Sequence, residues 1–362
     1  MGLVLSRGFN FFKAVCCHSS NKLNTFSFRI DQCECFVLEE GLQEEADLHK
    51  HLRDCEKNPG HEQFISIKTF RLGHIPEPYR DNDMYQWIKS CAELTVRVDV
   101  QGTSPNRPKS YMMETNYGRI IYSYPFYNQR ELKIKRYGSG ALSLTKYIEG
   151  FEYDSITDSV LVQPKPICNT CPCETCQHSD NPSRTWWRIY VLTGAHVVFD
   201  DVEASNTTCR LFYDEPSSPL VTLGKMETGF FNIVRDECQL CYVTCAPIGD
   251  KLFQLIEKRF RLWLIVKNKF QKPKEETFNF IVSHPHGCSK QITFGHWIQK
   301  SVFVTEDSEA TDDMDYTSFN YTTATCPGSS GARVYTIARG INLHCGAIKN
   351  GANFSGIGPY EK

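Results

Sequence analysis

The chain has no apolar run near the roughly eighteen residues that a membrane-spanning helix needs, and it has no internal repeat or low-complexity tract. A membrane-crossing helix and a repeat architecture are therefore not expected. Charge of one sign is missing too. There are 42 acidic residues against 40 basic ones, a net charge of −2 at pH 7, so nothing here provides the basic footprint of a nucleic-acid binder. The N-terminus lacks a clear secretory signal, because Arg7, Asn10 and Lys13 interrupt its apolar residues. The expected location is cytoplasmic. In that compartment 17 cysteines, an odd number, are not expected to form a disulfide framework.

What is present suffices for a core. Hydrophobic residues make up 41% of 362 positions, and that length suggests about two domains. Residues 1–137 read as a mixed α+β extension. It has a charged helical stretch near Glu39–Glu56, where Leu42, Leu48 and Leu52 make a partial apolar face, and a helix at Asp83–Ala92. The alternating run Leu94–Val100 is a strand, and Ser104–Pro108 is a turn or linker. From Gly138–Leu142 onward short strands recur as far as residue 348, with one helical interruption at Lys251–Phe260. Residues 138–362 form the second unit.

Two short segments carry chemistry. In Val191-Leu192-Thr193-Gly194-Ala195-His196-Val197-Val198 an apolar strand delivers a histidine into a small-residue turn. In Cys326-Pro327-Gly328-Ser329-Ser330-Gly331-Ala332 a Gly-x-Ser-Gly loop presents a hydroxyl. A serine hydroxyl is a weak nucleophile until an adjacent imidazole takes its proton. The order His then Ser separates a chymotrypsin-like arrangement from an α/β-hydrolase one. A third segment, Phe280–Gly287 followed by Lys290–Gly295, reads as two strands joined by a Pro/Gly turn; its His284 and His286 are expected to be structural.

Over residues 138 to 356 the chain resembles the trypsin-like, chymotrypsin-fold serine protease superfamily, in its intracellular and viral-like subgroup. The resemblance implies an all-β fold of two six-stranded antiparallel barrels, with Ser330 as nucleophile and His196 as general base. The N–H groups of Gly328 and Ser330 would form the oxyanion hole. Ser329 stands where zymogens of this superfamily carry an aspartate, so no activation by a freed N-terminal amine is implied. The acid is ambiguous. One phase of the expected strand begins at Gln239 and puts an amide where the carboxylate belongs. The other begins at Asp236 and puts Glu237 and Gln239 at apolar positions. Three readings stand: Asp236 as acid, a Ser/His dyad, or a binding-only pseudoprotease. The Asp236 phase is preferred, since a pure scaffold needs neither Ser330 nor His196.

The strand after the serine contains Leu343-His344-Cys345-Gly346-Ala347. Its apolar-His-x-Gly-small pattern resembles picornaviral chymotrypsin-like proteases and bacterial glutamyl endopeptidases. The resemblance implies that His344, helped by Thr325, recognises a substrate Gln or Glu side chain. The backbone of Cys345 and Gly346 would pair with an extended protein or peptide substrate. No aspartate marks a pocket for Lys or Arg.

Two further motifs stand apart. Cys168-x-x-Cys171-x-Cys173-x-x-Cys176, with His178 close by, has ligand types that can close a structural zinc site; Cys33, Cys35 and Cys55 add thiols without recognisable spacing. No cofactor is expected for catalysis itself. Met1-Gly2-Leu3-Val4-Leu5-Ser6 fits an N-myristoylation pattern at Gly2, with Cys16 and Cys17 available for palmitoylation, so a lipid-anchored contact with a membrane surface is an expectation. The expected activity is a serine endopeptidase that cuts after Gln or Glu. The alternative is an inactive, zinc-stabilised peptide-binding pseudoprotease.

Overall fold

The computed structural model describes residues 12–14, 33–38, 55–115, 118–154, 159–160, 168–270, 277–305, 314–338, 340–348 and 351–361. The expected helix at 39–56, the Gly2 motif and Cys16–Cys17 lie outside the described residues, apart from Cys55 and Glu56 at the end of that helix.

The described strands pair antiparallel throughout and outweigh the helices. One sheet runs, in spatial order, Val221–Leu223, Thr207–Leu211, Thr95–Gln101, Lys135–Ile148, Thr185–Thr193, Glu237–Thr244 and Glu227–Asn232. Thr95–Gln101 is nearly all buried, and Val96, Val98 and Val100 meet Leu142, Ile189, Val191 and Leu240 in one apolar cluster. β-Branched residues suit such a surface, and burying one Val, Ile or Leu side chain contributes about 1.5–3 kcal/mol. This strand pairs with Lys135–Ile148 across residue 137, so the sheet draws on both sides of the expected domain boundary.

The second sheet closes on itself. Six strands form a ring: Gln291–Thr305, Phe278–Ser283, Arg333–Thr336, Asn342–Ala347, Asn353–Ser355 and Met314–Tyr321, which pairs back with the first. Among the described residues the pairings of the first sheet form an open path, where two closed six-stranded barrels were expected. The helical interruption is longer than expected, a helix over Pro247–Phe270. It packs on the helix Asn82–Glu93, whose Asp81 side chain accepts from the Asp83 N–H, a standard N-cap.

The sheets meet at Gly138-Ser139-Gly140. A Cβ at Gly138 would stand 2.7 Å from Val197 Cγ1 and 3.1 Å from the Ser330 carbonyl oxygen. Its absence lets the Ser139 N–H donate to that carbonyl at 2.7 Å. The strand that begins the first sheet thus holds the Gly-x-Ser-Gly loop of the second.

Candidate active site

His196 sits in the turn after Thr185–Thr193 and is fully buried. The Val197 and Val198 N–H groups both donate to the Gly194 carbonyl. A Cβ at Gly194 would lie 2.8 Å from the His196 ring, so glycine makes room for the imidazole. The carbonyls that the turn buries are satisfied: Tyr124 OH donates to Ala195 O at 3.0 Å, and Arg107 donates to His196 O at 3.1 Å. Arg107 is held by Glu203 through two hydrogen bonds of 2.7 Å, and Arg136 joins the same carboxylate at 3.0 Å.

Asp236 lies one residue before Glu237–Thr244. Its φ of 54° is left-handed, a conformation aspartate tolerates better than most residues. From there one carboxylate oxygen accepts from His196 N–H at 2.9 Å and the other meets His196 Nδ1 at 2.7 Å. In the strand that follows, Cys238 and Leu240 are buried while Glu237 and Gln239 are not. The polar residues that made this phase look wrong face away from the core. Burial pulls the His196 pKa down, but Asp236 outweighs it and the net shift is upward.

Ser330 is also fully buried. Its Oγ donates to Cys345 O at 3.2 Å and accepts the Glu34 N–H at 2.9 Å. His196 Nε2 has no hydrogen-bond partner among the described residues, so the buried serine and imidazole lack the hydrogen bond that would join them. Gly328, at φ +100°, leaves no room for a side chain: a Cβ would stand 2.4 Å from His284 O. Its N–H points to the Glu34 carbonyl at 2.5 Å. Gly331, at φ +83°, is tighter still, with Thr193 Oγ1 2.2 Å and Gly194 N 2.9 Å from the place of its Cβ.

His344, Thr325 and Cys345 converge on one residue absent from the sequence expectation, Glu34, while Gly346 bridges to its neighbour Cys33. One Glu34 oxygen meets His344 Nε2 and Thr325 Oγ1, each at 2.7 Å. Lys57 pairs with the other oxygen and also reaches Thr325 Oγ1 at 3.0 Å and Asn353 Oδ1 at 2.8 Å. Tyr321 OH lies 2.6 Å from His344 Nδ1. These partners assign a neutral ring that donates from Nε2 to Glu34 and accepts from Tyr321 at Nδ1. Burial lowers the His344 pKa and outweighs the carboxylate beside it. Burial alone would raise that of Glu34, but the His344 hydrogen bond and the charge and hydrogen bond of Lys57 hold it down to about 2.

Of the expected zinc ligands, Cys171, Cys173 and Cys176 come together, and the fourth sulfur is Cys245, not Cys168. All four sulfurs lie within 4.8 Å of one another, with Cys245 at 3.5 Å from Cys176 and 3.9 Å from Cys173. Cys168 instead donates to Thr170 O. Cys245 directly follows the Glu237–Thr244 strand, too far along the chain for any local spacing to reveal it. His178 Nδ1–H donates to Glu174 O, and the residue stands outside the group.

No protein-family model and no curated protein matches the chain. Among solved structures it overlays an HtrA-type protease bound to a decapeptide, at 12% identity and a TM-score of 0.33, covering 76% of this chain and 61% of that one. It also overlays the Rv3671c protease from M. tuberculosis in its active form, at 11% identity and a TM-score of 0.36, covering 78% and 82%. The chain thus spans about three-fifths of the HtrA-type chain. Among the described residues, no helix is long and apolar enough to cross a membrane.

Proposed function

We propose that this protein is a serine endopeptidase of chymotrypsin-like two-barrel architecture, with Ser330, His196 and Asp236 as its triad. The observation that carries the reading is the buried His196–Asp236 pair, joined by two hydrogen bonds of 2.9 and 2.7 Å, in the turn packed against the loop of Ser330. The carboxylate fixes the proton on Nδ1 and leaves Nε2 as the base. Ser330 Oγ swings from Cys345 O toward His196 Nε2, loses its proton there and attacks the substrate carbonyl. The N–H groups of Gly328 and Ser330 stabilise the oxyanion, a contribution of about 10²–10³ in rate per donor. His196 then protonates the leaving amine.

The pocket favours Glu at the residue before the cut, and Gln after it. His344 Nε2–H and Thr325 OH serve a carboxylate or a carboxamide oxygen alike, while the Lys57 charge selects the acid. A structural zinc at Cys171, Cys173, Cys176 and Cys245 pins the loop after residue 168 to the end of the Glu237–Thr244 strand. Four sulfurs suit a closed structural site, about 2.3 Å from the ion and about 3.8 Å from one another. The ion has no part in the chemistry.

A binding-only reading draws on Ser330 Oγ facing Cys345 O and on a cleft filled by the chain itself. Fluorophosphonate labelling decides between the two, since only an activated serine reacts. The enzyme reading expects labelling that disappears in Ser330→Ala and falls sharply in His196→Ala; folded protein that never labels, even with its cleft emptied by Glu34→Arg, overturns it.

The N-terminal lipid anchor at Gly2 and a cytoplasmic location remain part of this proposal, supported by the sequence pattern alone. Mass spectrometry of protein made in a eukaryotic host tests the anchor, which requires the added mass of a myristoyl chain on Gly2.

A further inference from the structure

The segment Cys33–Leu38 crosses the candidate site from end to end. Cys33 forms an antiparallel bridge with Gly346. The Glu34 N–H lies 3.3 Å from Cys345 O, and its carbonyl receives the Gly328 N–H. Beyond it, Phe36–Val37 pairs with Arg136–Tyr137, and Leu38 N–H donates to Lys135 O at 2.9 Å. The chain is therefore an added strand on both sides of Glu34, the way a β-augmenting peptide binds. The Cys33 and Cys35 sulfurs both lie within 4.8 Å of a His196 ring nitrogen, which brings the Glu34–Cys35 bond beside the base. Glu34 is 6% exposed, and its side chain fills the His344–Thr325 pocket. Burying a carboxylate is costly unless it is fully paired, and here every partner belongs to the pocket or faces it.

We infer that the Glu34–Cys35 peptide bond is this protein's own first substrate, cut within the same molecule; this rests on the protease reading above. Ser330 Oγ adds to the Glu34 carbonyl carbon as His196 takes its proton. The C–N bond to Cys35 breaks, and the proton passes to the Cys35 nitrogen. Water then attacks the resulting ester, giving a Glu34 carboxylate and a restored Ser330 hydroxyl. One water is consumed, and the products are residues 1–34 and 35–362. Until the cut is made, the strap excludes other substrates from the cleft.

The test is intact mass and N-terminal sequencing of the purified full chain over time. A new N-terminus at Cys35 is expected in the wild type and absent in Ser330→Ala. Its formation is first order and unchanged on dilution, because the substrate is tethered. Glu34→Ala slows it by at least about a hundredfold, since the pocket's polar groups lose their partner. Wild-type chain that stays whole, while Glu34→Arg protein labels with fluorophosphonate, overturns self-cleavage and leaves the protease reading standing. If neither is cut nor labelled, the protease reading itself falls. Cleavage that depends on protein concentration overturns the intramolecular route.

A second inference rests on a separate group. Cys55, His61, His286 and Cys326, all buried, place four donor atoms within 4.8 Å of one another. The separations are 3.5 Å between the sulfurs, 3.2 Å from Cys326 Sγ to His61 Nε2, and 3.3 Å between the two Nε2 atoms. Those are close to the edges of a tetrahedron with about 2.3 Å to sulfur and about 2.0 Å to nitrogen. Asn58 Nδ2 donates to Cys326 Sγ at 3.1 Å, an outer partner of the kind metal thiolates keep. We propose that these residues bind one zinc ion that ties the 55–61 segment to the loop holding Ser330. Elemental analysis of folded protein is expected to give two zinc ions per chain, one lost in His61→Ala with Cys55→Ser and the other in Cys176→Ser. Cobalt loaded at the first site alone is expected to give the strong visible bands of a tetrahedral two-thiolate ion. Unchanged metal content in the His61/Cys55 double variant, or a Cys55–Cys326 disulfide in non-reducing mass spectra, overturns it.

Discussion

The two halves of the cleft are built differently. The base half takes its hydrogen-bond network from one sheet: His196, Asp236 and the Arg107–Glu203–Arg136 group all lie along the first sheet and its loops. The nucleophile half depends on chain from far away. Its loop touches Glu34, Lys57, Asn58 and His61, all from upstream of the first sheet. A base has to be held in one tautomer, which a rigid buried network does well. A nucleophile loop must also admit and release peptide, and here its shape is completed by segments that can be cut or unclipped.

The largest effect expected on the base half is that of Asp236→Asn. Turnover falls about 10⁴-fold, as for the comparable change in a Ser-His-Asp triad, while the thermal transition stays nearly in place. Steady-state kinetics beside a melting curve checks it; a loss below tenfold would make the site a dyad. Next is Glu203→Ala, which strands two buried guanidinium groups and is expected to destabilise the fold by about 3–5 kcal/mol, measured by urea unfolding. Glu203 is held below the usual carboxylate range because Arg107 and Arg136 outweigh its burial. Its stabilisation is therefore complete above the unfolded value near 4.5 and disappears as pH falls through the lower folded one.

On the other half, Lys57→Met is expected to narrow the preference for Glu over Gln about ten- to a hundredfold in kcat/KM, the worth of about 1.5–3 kcal/mol for a charged hydrogen bond. Matched peptides read it out, and an unchanged ratio would remove Lys57 from the pocket. The smallest effect is in the pH profile. His196 must be neutral to act as base, so activity is lost as pH falls through its raised pKa, at a value above the ordinary 6.5. Asp236→Asn should move that limb to lower pH. The stability it brings has the opposite sign: the His196–Asp236 pairing contributes fully below 6.5 and fades as pH rises through the folded value.

The halves also differ in what the sequence made legible. Strand-end His196, the Gly-x-Ser-Gly loop and the His344 strand are local patterns whose residues share a neighbourhood along the chain. Asp236 was half-legible, because its place in a left-handed turn, one residue outside the strand, blurs the alternation that would flag it. Glu34, Lys57, His61 and Cys245 carry no local signal: apart from the Glu34–Lys57 pair, their hydrogen bonds to the site and the sulfur group reach across 69 to 310 positions, and only tertiary packing brings them in. The strand Thr95–Gln101 was legible as a strand, but its partnership with Lys135–Ile148 was not, since alternation shows which face is buried and not against what.

Gly331 has a further consequence for folding. Its α-carbon is where the loop of one sheet lies against Thr193 and Gly194 of the other, with no space for even a methyl group. Docking of the two sheets and shaping of the nucleophile loop are therefore one event. An incompletely folded chain, with either sheet formed alone, has no finished loop. In the protease proposed above, reactivity therefore waits for that docking.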